Sequence, residues 1–198
     1  RLFLAGQPWL VRVTDACDCP RPRRTRWPVS VAISRSVAVC PPRSSNRSLI
    51  RSGQLYADHC GNAVFLLVAG KPNRPVGAEL RGTGPRVWRG MAPGSRKDLG
   101  YFWIGTPGSQ NIILCESAID AISYWQMNPQ CICISTAGVR ANPLWLPGLL
   151  ARGYALHCGF DADEPGDAAA SHMIALHPAV QRLRPPAHDW NDVLTSRR

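Results

Sequence analysis

The chain has 198 residues, of which 45% are hydrophobic and 18% charged, with a formal net charge of +10 at pH 7. This suits one globular domain or two small ones. No apolar stretch approaches the ~20 residues that a membrane-spanning helix needs, and residues 1–6 are too short for a secretory signal. We therefore expect a cytoplasmic protein, and, because position 1 is not Met, a piece of a longer one.

The positive charge lies in the first half of the chain. Residues 1–50 contain nine Arg and two Asp, and residues 51–105 contain eight Lys or Arg and three Asp or Glu. Residues 106–198 contain six Arg and eight Asp or Glu. A basic half beside an acidic half suits a polyanion held against a metal site, although solvated arginines on an ordinary surface explain the charge equally well.

Residues 1–50 predict an irregular, basic N-terminal segment. They are dense in Pro, Arg and Ser, and only residues 29–33 look like a strand. The cysteines of the first half are too loosely spaced for paired zinc knuckles: Cys17, Cys19, Cys40 and Cys60. The other four lie in apolar runs and are predicted to be core residues of a reduced protein: Cys115, Cys131, Cys133 and Cys158.

Residues 51–105 predict a small, mostly antiparallel β-rich subdomain. The first two of its predicted strands are separated by a Pro-containing turn and form a hairpin. The four predicted strands cover residues 62–68, 75–82, 87–91 and 100–104.

Residues 106–198 alternate strand and helix, which predicts an α/β domain with a parallel sheet flanked by helices and right-handed crossovers. The predicted strands are 111–115, 131–135, 154–160 and 179–184. The predicted helices are 117–127, capped by Ser117; 142–152, capped by Asn142; 165–177; and a last one from Asp189.

Acidic residues follow two of these strands. Glu116 ends one strand, and Asp161 and Asp163 end another. Carboxyl ends of parallel strands meet at one edge of a sheet, where ligands bind. Three carboxylates there suit Mg²⁺ or Mn²⁺. Helix capping is the alternative for each of them, and also for Asp120, which lies one turn into the first helix and can face the same crevice.

Two motifs now support a family resemblance. Leu114-Cys115-Glu116-Ser117-Ala118-Ile119-Asp120 resembles the E-G-x-x-D motif of Toprim domains, with Ser117 in place of the usual Gly. Phe160-Asp161-Ala162-Asp163 with Gly166, Ala169 and Ala170 resembles their F-D-x-D-x-x-G-x-x-A-A motif. Toprim domains are shared by bacterial primases, topoisomerases and some nucleases, so the resemblance implies a Toprim-like fold over residues 106–198.

The preceding region extends this resemblance. Residues 61–102 are similar to the small subdomain before the Toprim core of bacterial replicative primase. They look more like primase-like proteins of plasmids and mobile elements, which pair an uncharacterised N-terminal domain with a Toprim-like domain. The resemblance implies that Arg81 and Lys97, and more loosely Arg89 and Arg96, line a nucleic-acid groove. Solvated hairpin charges are the alternative.

The C-terminal sequence His188-Asp189-Trp190-Asn191-Asp192 resembles the K-D-x-N-D ending of these proteins. The match places Asp189 near the metal cluster, and we expect Asp192 to cap the last helix. His188 stands where Lys is usual, which puts a catalytic part for that position in doubt.

The resemblance implies a catalytic set of Glu116, Asp161, Asp163 and Asp120, with Mg²⁺ or Mn²⁺ held by the first three and Asp189. It implies single-stranded DNA and nucleotides as substrates, with a helicase or relaxase as partner. Three functions follow: a primase-like nucleotidyltransferase, a metal-dependent nuclease, and a non-catalytic nucleic-acid-binding module.

Overall fold

The computed structural model describes residues 52–58, 60–70, 72–83 and 88–197. The predicted irregular segment 1–50, its strand 29–33 and the first three cysteines lie outside these residues. Within the described residues, the chain forms two sheets and four helices. None of these helices is both long and apolar enough to cross a membrane.

The first sheet is antiparallel and contains four strands in chain order. The predicted hairpin is present, with a register shift between Leu67 and Val68, and its turn includes Gly70 at a positive φ of 71°. The first strand was not predicted because three residues are too few to show a period. The strands are β1 (Leu55–Ala57), β2 (Ala63–Ala69), β3 (Arg74–Arg81) and β4 (Arg89–Met91).

The second sheet confirms the predicted α/β class. Its order is β5-β7-β6-β8-β9, and all neighbouring pairs are parallel except β5 with β7. The strands are β5 (Phe102–Gly105), β6 (Asn111–Cys115), β7 (Ile132–Ser135), β8 (Ala155–Cys158) and β9 (Gln181–Arg182).

Strand β5 corrects one expectation, because the sequence placed it in the small antiparallel sheet. It pairs instead with β7, in a register that sets Phe102 against Ser135. A Cβ on Gly105 would lie 2.6 Å from the Ile132 Cα, so this glycine allows the close pairing. One bridge, between Val68 and Tyr101, still links the start of β5 to the first sheet. The domain boundary at residues 105/106 stays a prediction.

Four helices follow the strands of the second sheet. Alternate residues of β6 point to opposite faces. Ile113 and Cys115 join one core cluster with helix α1, whereas Ile112 and Leu114 join another with α2 and α3. Helix α4 packs beside α1. The helices are α1 (Ala118–Met127), α2 (Leu146–Leu150), α3 (Glu164–Leu176) and α4 (Trp190–Ser196).

The two sheets share one hydrophobic core. Leu55, Ala63 and Phe65 of the first sheet belong to the cluster that contains Phe102 and Ile113 of the second. The Phe65 and Phe102 rings meet edge to face, with centroids 5.6 Å apart, an arrangement favoured by aromatic quadrupoles. This common core joins β1 and β2 of the first sheet to β5, β6 and β7 of the second.

The predicted helix 142–152 is shorter in the structure, where α2 begins after Trp145 without a side-chain cap. Asn142 does not cap it; its Oδ1 lies 3.0 Å from the His177 Nε2. Residues 143–146 form a turn, which is closed by a hydrogen bond from the Leu146 amide to the Pro143 carbonyl. The proline suited a helix start, but it begins this turn instead.

The cysteine prediction is confirmed where the structure describes it. Four cysteines are buried free thiols, and Cys60 is free and exposed. The buried four are Cys115, Cys131, Cys133 and Cys158.

Candidate functional site

Two neighbouring strands bring the predicted carboxylates together. Strand β6 leads into Glu116, and β8, its parallel partner, leads toward Asp161 and Asp163. The Asp161 amide donates to the Glu116 Oε1 at 3.2 Å. The two strand ends are therefore tied to each other directly.

Gly166 is the point on which these carboxylates converge. A Cβ there would lie 2.4 Å from the Asp161 carbonyl oxygen, and 3.0 Å from both the Asp163 Oδ1 and the Glu116 Oε1. Real Cβ atoms do not approach so closely, so the start of α3 fits under the acidic loop only because this residue lacks a side chain. The glycine of the acidic motif thus has a packing role.

Asp163 combines the capping role with a place at the site. Its Oδ1 accepts the Gly166 amide at 2.8 Å, which makes it the N-cap of α3. Its Oδ2 lies 3.7 Å from the His188 Nε2. The Asp163 Oδ1 therefore caps the helix, as the alternative interpretation expected, while the Oδ2 lies near His188.

The surroundings of Asp161 disfavour the charged form of its carboxylate. Its Oδ1 is buried and has no hydrogen-bond partner. Burial, followed by the charges of Asp120, Glu116 and other nearby carboxylates, raises the pKa of Asp161 to about 8. Burial also raises the pKa of Glu116. An anionic oxygen left buried and unpaired is costly, and a bound cation would relieve that cost.

Ligand atoms of Asp161, His188 and Asp189 all lie within 4.8 Å of one another, close enough to share one ion. The oxygen-rich donor set fits a divalent metal. The prediction of Asp189 near the cluster therefore agrees with this geometry, and His188 joins it.

Asp189 also corrects an expectation about the last helix. Its Oδ1 accepts the Asp192 amide at 2.7 Å, so Asp189 is the N-cap of α4. Asp192 lies in the first turn and does not cap the helix. The prediction of Asp192 as the cap set the helix start three residues too late, because apolar residues follow both Asp189 and Asp192.

Asp120 lies at the back of the cleft and is almost fully buried. Its Oδ2 accepts the Ser117 hydroxyl at 2.5 Å, and its Oδ1 accepts the Asn191 amide at 3.3 Å. Burial, then the nearby Asp189 charge, raises the pKa of Asp120 to about 6. Ser117 accepts the Asp120 amide and caps α1, as predicted.

Two arginines that the sequence analysis missed hold the acidic loop. Arg182 donates to the carbonyls of Cys158, Phe160 and Asp161 at 2.9–3.1 Å and to the Asp167 carboxylate. Arg184 binds the same carboxylate through two nitrogens. The sequence signal that could have revealed them is their position: Arg182 lies on β9, Arg184 follows it, and β9 is the strand next to β8.

Glu79 is a buried acidic residue that the sequence analysis did not single out. It lies buried between the two sheets, where it accepts the Ala118 amide at 3.1 Å and the Ser135 hydroxyl. Burial raises its pKa above the ordinary value. A lone Glu among the inward residues of β3 was the signal that could have revealed it.

The basic residues divide into two groups. Arg81 and Arg89 are register partners on β3 and β4, and both line the acidic cleft, a space of about 500 Å³. Lys97 lies beside it, with its Nζ donating to the Ala137 carbonyl at 3.1 Å. Arg96 pairs with Asp98 at 2.9 Å. Arg81 and Arg89 thus line the same cleft as the carboxylates.

Comparisons with known proteins fit this geometry. A family model described as Toprim-like matches residues 113–194, and one described as a protein of unknown function (DUF3991) matches residues 42–106. No curated protein sequence matches the chain.

Solved primase structures share the fold. The primase fragment of the bacteriophage T7 primase-helicase protein has 15% identity and a TM-score of 0.55, over 76% of this chain and 65% of that one. The DnaG catalytic core has 17% identity and a TM-score of 0.51, over 78% and 57%. The chain therefore spans less than two thirds of either structure, and at these identities the likeness is one of fold. Residues 113–194 belong to the Toprim-like family, and residues 42–106 to the family of unknown function DUF3991.

Proposed function

We propose that the chain is a metal-dependent, primase-like nucleotidyltransferase that acts on single-stranded DNA. The observation that carries this proposal is the arrangement of one cleft. It is lined by Glu116 and Asp161, which we call the acidic wall, and by Arg81 and Arg89 of the first sheet, which we call the basic wall. Phosphoryl transfer needs both a cation at the reacting phosphate and positive charge along the nucleic-acid backbone.

The residues at the acidic wall fit a divalent metal. Asp161 provides a buried oxygen without a partner, a ligand atom of Asp189 lies within 4.8 Å of one of Asp161, and the charges of Glu116 and Asp163 act on Asp161. When bound, Mg²⁺ or Mn²⁺ would supply charge neutralisation at a phosphoryl oxygen and would orient the attacking hydroxyl. Without a cation, the raised pKa of Asp161 means that this carboxyl holds a proton near neutral pH.

The basic wall, which contains Arg81 and Arg89, suits the binding of a phosphate backbone. Arg89 is exposed and Arg81 half-buried, so their guanidinium groups can donate to phosphate oxygens without a large desolvation cost. Next to Arg89, the Trp88 indole is 47% exposed and lies on Gly90, a residue of the cleft. An exposed indole beside basic residues is a stacking surface for an unpaired base. We therefore expect salt-dependent binding with weak sequence preference.

Primer synthesis is favoured over strand cleavage by the extent of the structural likeness. The match to the T7 primase fragment covers 76% of this chain, which is more than the second sheet and its helices can supply. The likeness therefore extends beyond the second sheet into the preceding part of the chain, which supports a role in DNA binding for the basic residues there. A plasmid or mobile-element setting and a helicase or relaxase partner belong to the same proposal, as does a cytoplasmic location.

The test is a priming assay with single-stranded DNA, labelled ribonucleotides and Mg²⁺ or Mn²⁺. We expect short labelled products from the wild type and none from the double variant Asp161→Ala/Asp163→Ala. Asp192→Ala is the matched control, since it removes an exposed carboxylate from the first turn of α4. Shortening of the template instead of labelled products would support a nuclease. DNA binding without either reaction would support a non-catalytic module and would contradict the proposal.

A further inference from the structure

We propose that His188 is a metal ligand and that its imidazole makes this site prefer a transition-metal ion to Mg²⁺. The inference rests on the proposed metal site and concerns which ion that site selects. It goes beyond the carboxylate set, because His188 contributes a nitrogen where the other ligands contribute oxygen.

The imidazole lies within the acidic cluster. One of its nitrogens is within 4.8 Å of ligand oxygens of both Asp161 and Asp189. Ligand atoms about 2.1–2.2 Å from a metal are separated by about 3 Å when adjacent and by more than 4 Å when opposite. His188 is 58% exposed in its side chain, so a small rotation of the ring closes the remaining gap.

Both ring nitrogens face carboxylate oxygens. The Nε2 lies 3.7 Å from the Asp163 Oδ2, and the Nδ1 lies 3.6 Å from the Asp189 Oδ2. These distances are longer than a hydrogen bond. A cation held between the ring and these oxygens would take a ring nitrogen as one ligand and carboxylate oxygens as others.

An independent observation supports a cation at this cluster. The Asp161 Oδ1 is buried and has no hydrogen-bond partner, and Asp161 belongs to the same cluster as His188. Buried polar atoms are normally satisfied, so one left unpaired needs an explanation such as an ion. One ion would bind both the Asp161 carboxylate and the His188 imidazole.

The nitrogen ligand from His188 is what would make the site prefer a transition-metal ion to Mg²⁺. Imidazole suits transition metals such as Zn²⁺, Cu²⁺, Fe²⁺ and Ni²⁺, whereas Mg²⁺ is bound by carboxylates and water. Mn²⁺ accepts oxygen ligands as Mg²⁺ does but also binds imidazole, and it is therefore the suitable probe. Removing the imidazole should weaken Mn²⁺ binding and leave Mg²⁺ binding nearly unchanged.

The experiment titrates the metal-free full chain with Mn²⁺, measures free Mn²⁺ by electron paramagnetic resonance, and repeats the titration in competition with Mg²⁺. The proteins are wild type, His188→Gln, His188→Lys and the control His172→Gln, which changes an exposed histidine on α3. We expect His188→Gln to lose about tenfold in Mn²⁺ affinity with the Mg²⁺ affinity kept. His188→Lys, which adds a positive charge, should weaken both ions.

Electron spin echo measurements on bound Mn²⁺ supply a second readout, free of any activity. Modulation from a ¹⁴N nucleus should be present in the wild type and in His172→Gln and absent in His188→Gln. Equal loss of Mn²⁺ and Mg²⁺ affinity in His188→Gln, or no ¹⁴N modulation in the wild type, would overturn the inference while leaving the metal site intact. If the wild type binds neither ion, the metal site itself fails.

Discussion

The two walls of the cleft are built in opposite ways. The acidic wall is fixed by backbone contacts: Glu116 accepts the Asp161 amide, Asp163 accepts the Gly166 amide, and Arg182 binds the carbonyls of the acidic loop. The basic wall offers Arg89 as an exposed side chain at a short strand. A rigid, desolvated wall suits one small ion, and an open wall suits a flexible polymer.

This contrast also explains the electrostatics. Burial and mutual repulsion raise the pKa values of Glu116, Asp120 and Asp161, so the acidic wall is costly to ionise without a cation. The fold thus gives up stability at the metal site, as functional sites often do. Variants of the two walls should therefore have different consequences.

The largest effect is expected for Asp161→Asn. Priming should fall at least 100-fold, because the buried oxygen at the centre of the acidic wall is replaced by a neutral amide. The metal-free variant should nevertheless be more stable than the wild type at pH 7, on the order of 1 kcal/mol after allowance for solvent screening of a half-buried group. Activity assays and denaturant unfolding measure the two effects. A variant that is less active and also less stable would contradict the proposed cost of the carboxylate.

On the basic wall, Arg81→Ala and Arg89→Ala should each weaken single-stranded DNA binding several-fold. The slope of log affinity against log salt should become shallower by about one unit for each phosphate that the variant no longer neutralises. Fluorescence anisotropy at several salt concentrations measures both. Arg74→Ala is the matched control, since Arg74 lies at the other end of β3 from Arg81. An equal effect in the control would mean that general charge, and not the cleft, binds DNA.

Between the walls, Glu79→Gln should change how stability depends on pH. Burial raises the pKa of Glu79 in the folded protein, so the unfolded chain loses this proton first as pH rises above about 4.5. The wild type therefore loses stability above that pH relative to Glu79→Gln, by at most about 1.4 kcal/mol per pH unit, until the native group also ionises.

Urea unfolding of both proteins between pH 4 and pH 8 measures this difference. The control Glu164→Gln, which changes an exposed residue on α3, should show no such trend. A difference between Glu79→Gln and wild type that stays constant with pH would show that folding does not raise the pKa of Glu79.

The smallest effect concerns Ser117, which replaces the Gly usual in the motif that this strand end resembles. Its hydroxyl accepts the Asp120 amide and caps α1. Ser117→Ala should cost about 1 kcal/mol of unfolding free energy and Ser117→Gly a few tenths. Priming by Ser117→Gly should equal that of the wild type, and a tenfold loss would instead show a role in the reaction.

The sequence signals for the acidic residues at the strand ends are local. One buried strand ends just before Glu116 and another ends shortly before Asp161. Because the carboxyl ends of parallel strands lie at the same edge of a sheet, the two carboxylates are expected to be close together. Gly166 was noted only as a residue of the second motif, and its close packing against the Asp161 carbonyl and the Asp163 and Glu116 carboxylates was not predicted.

Other features depend on long-range packing and left little trace in the sequence. Strand β5 pairs with β7 across some 30 positions of the chain, which no local pattern encodes. The contact of Glu79 with the Ala118 amide joins the two sheets, and Arg182 reaches the acidic loop from the next strand. Such partners are chosen by tertiary structure, and composition alone could not reveal them.

The central claim is that one cleft holds a metal on one wall and DNA on the other. Fe²⁺ can replace the metal, and with ascorbate and peroxide it generates radicals that cut only nearby nucleic acid. The account predicts cleavage of bound single-stranded DNA confined to a few nucleotides in the wild type. It predicts no localised cleavage with Asp161→Asn, although that variant still binds the DNA. Cleavage that is dispersed, or that is unchanged in Asp161→Asn, would contradict the claim.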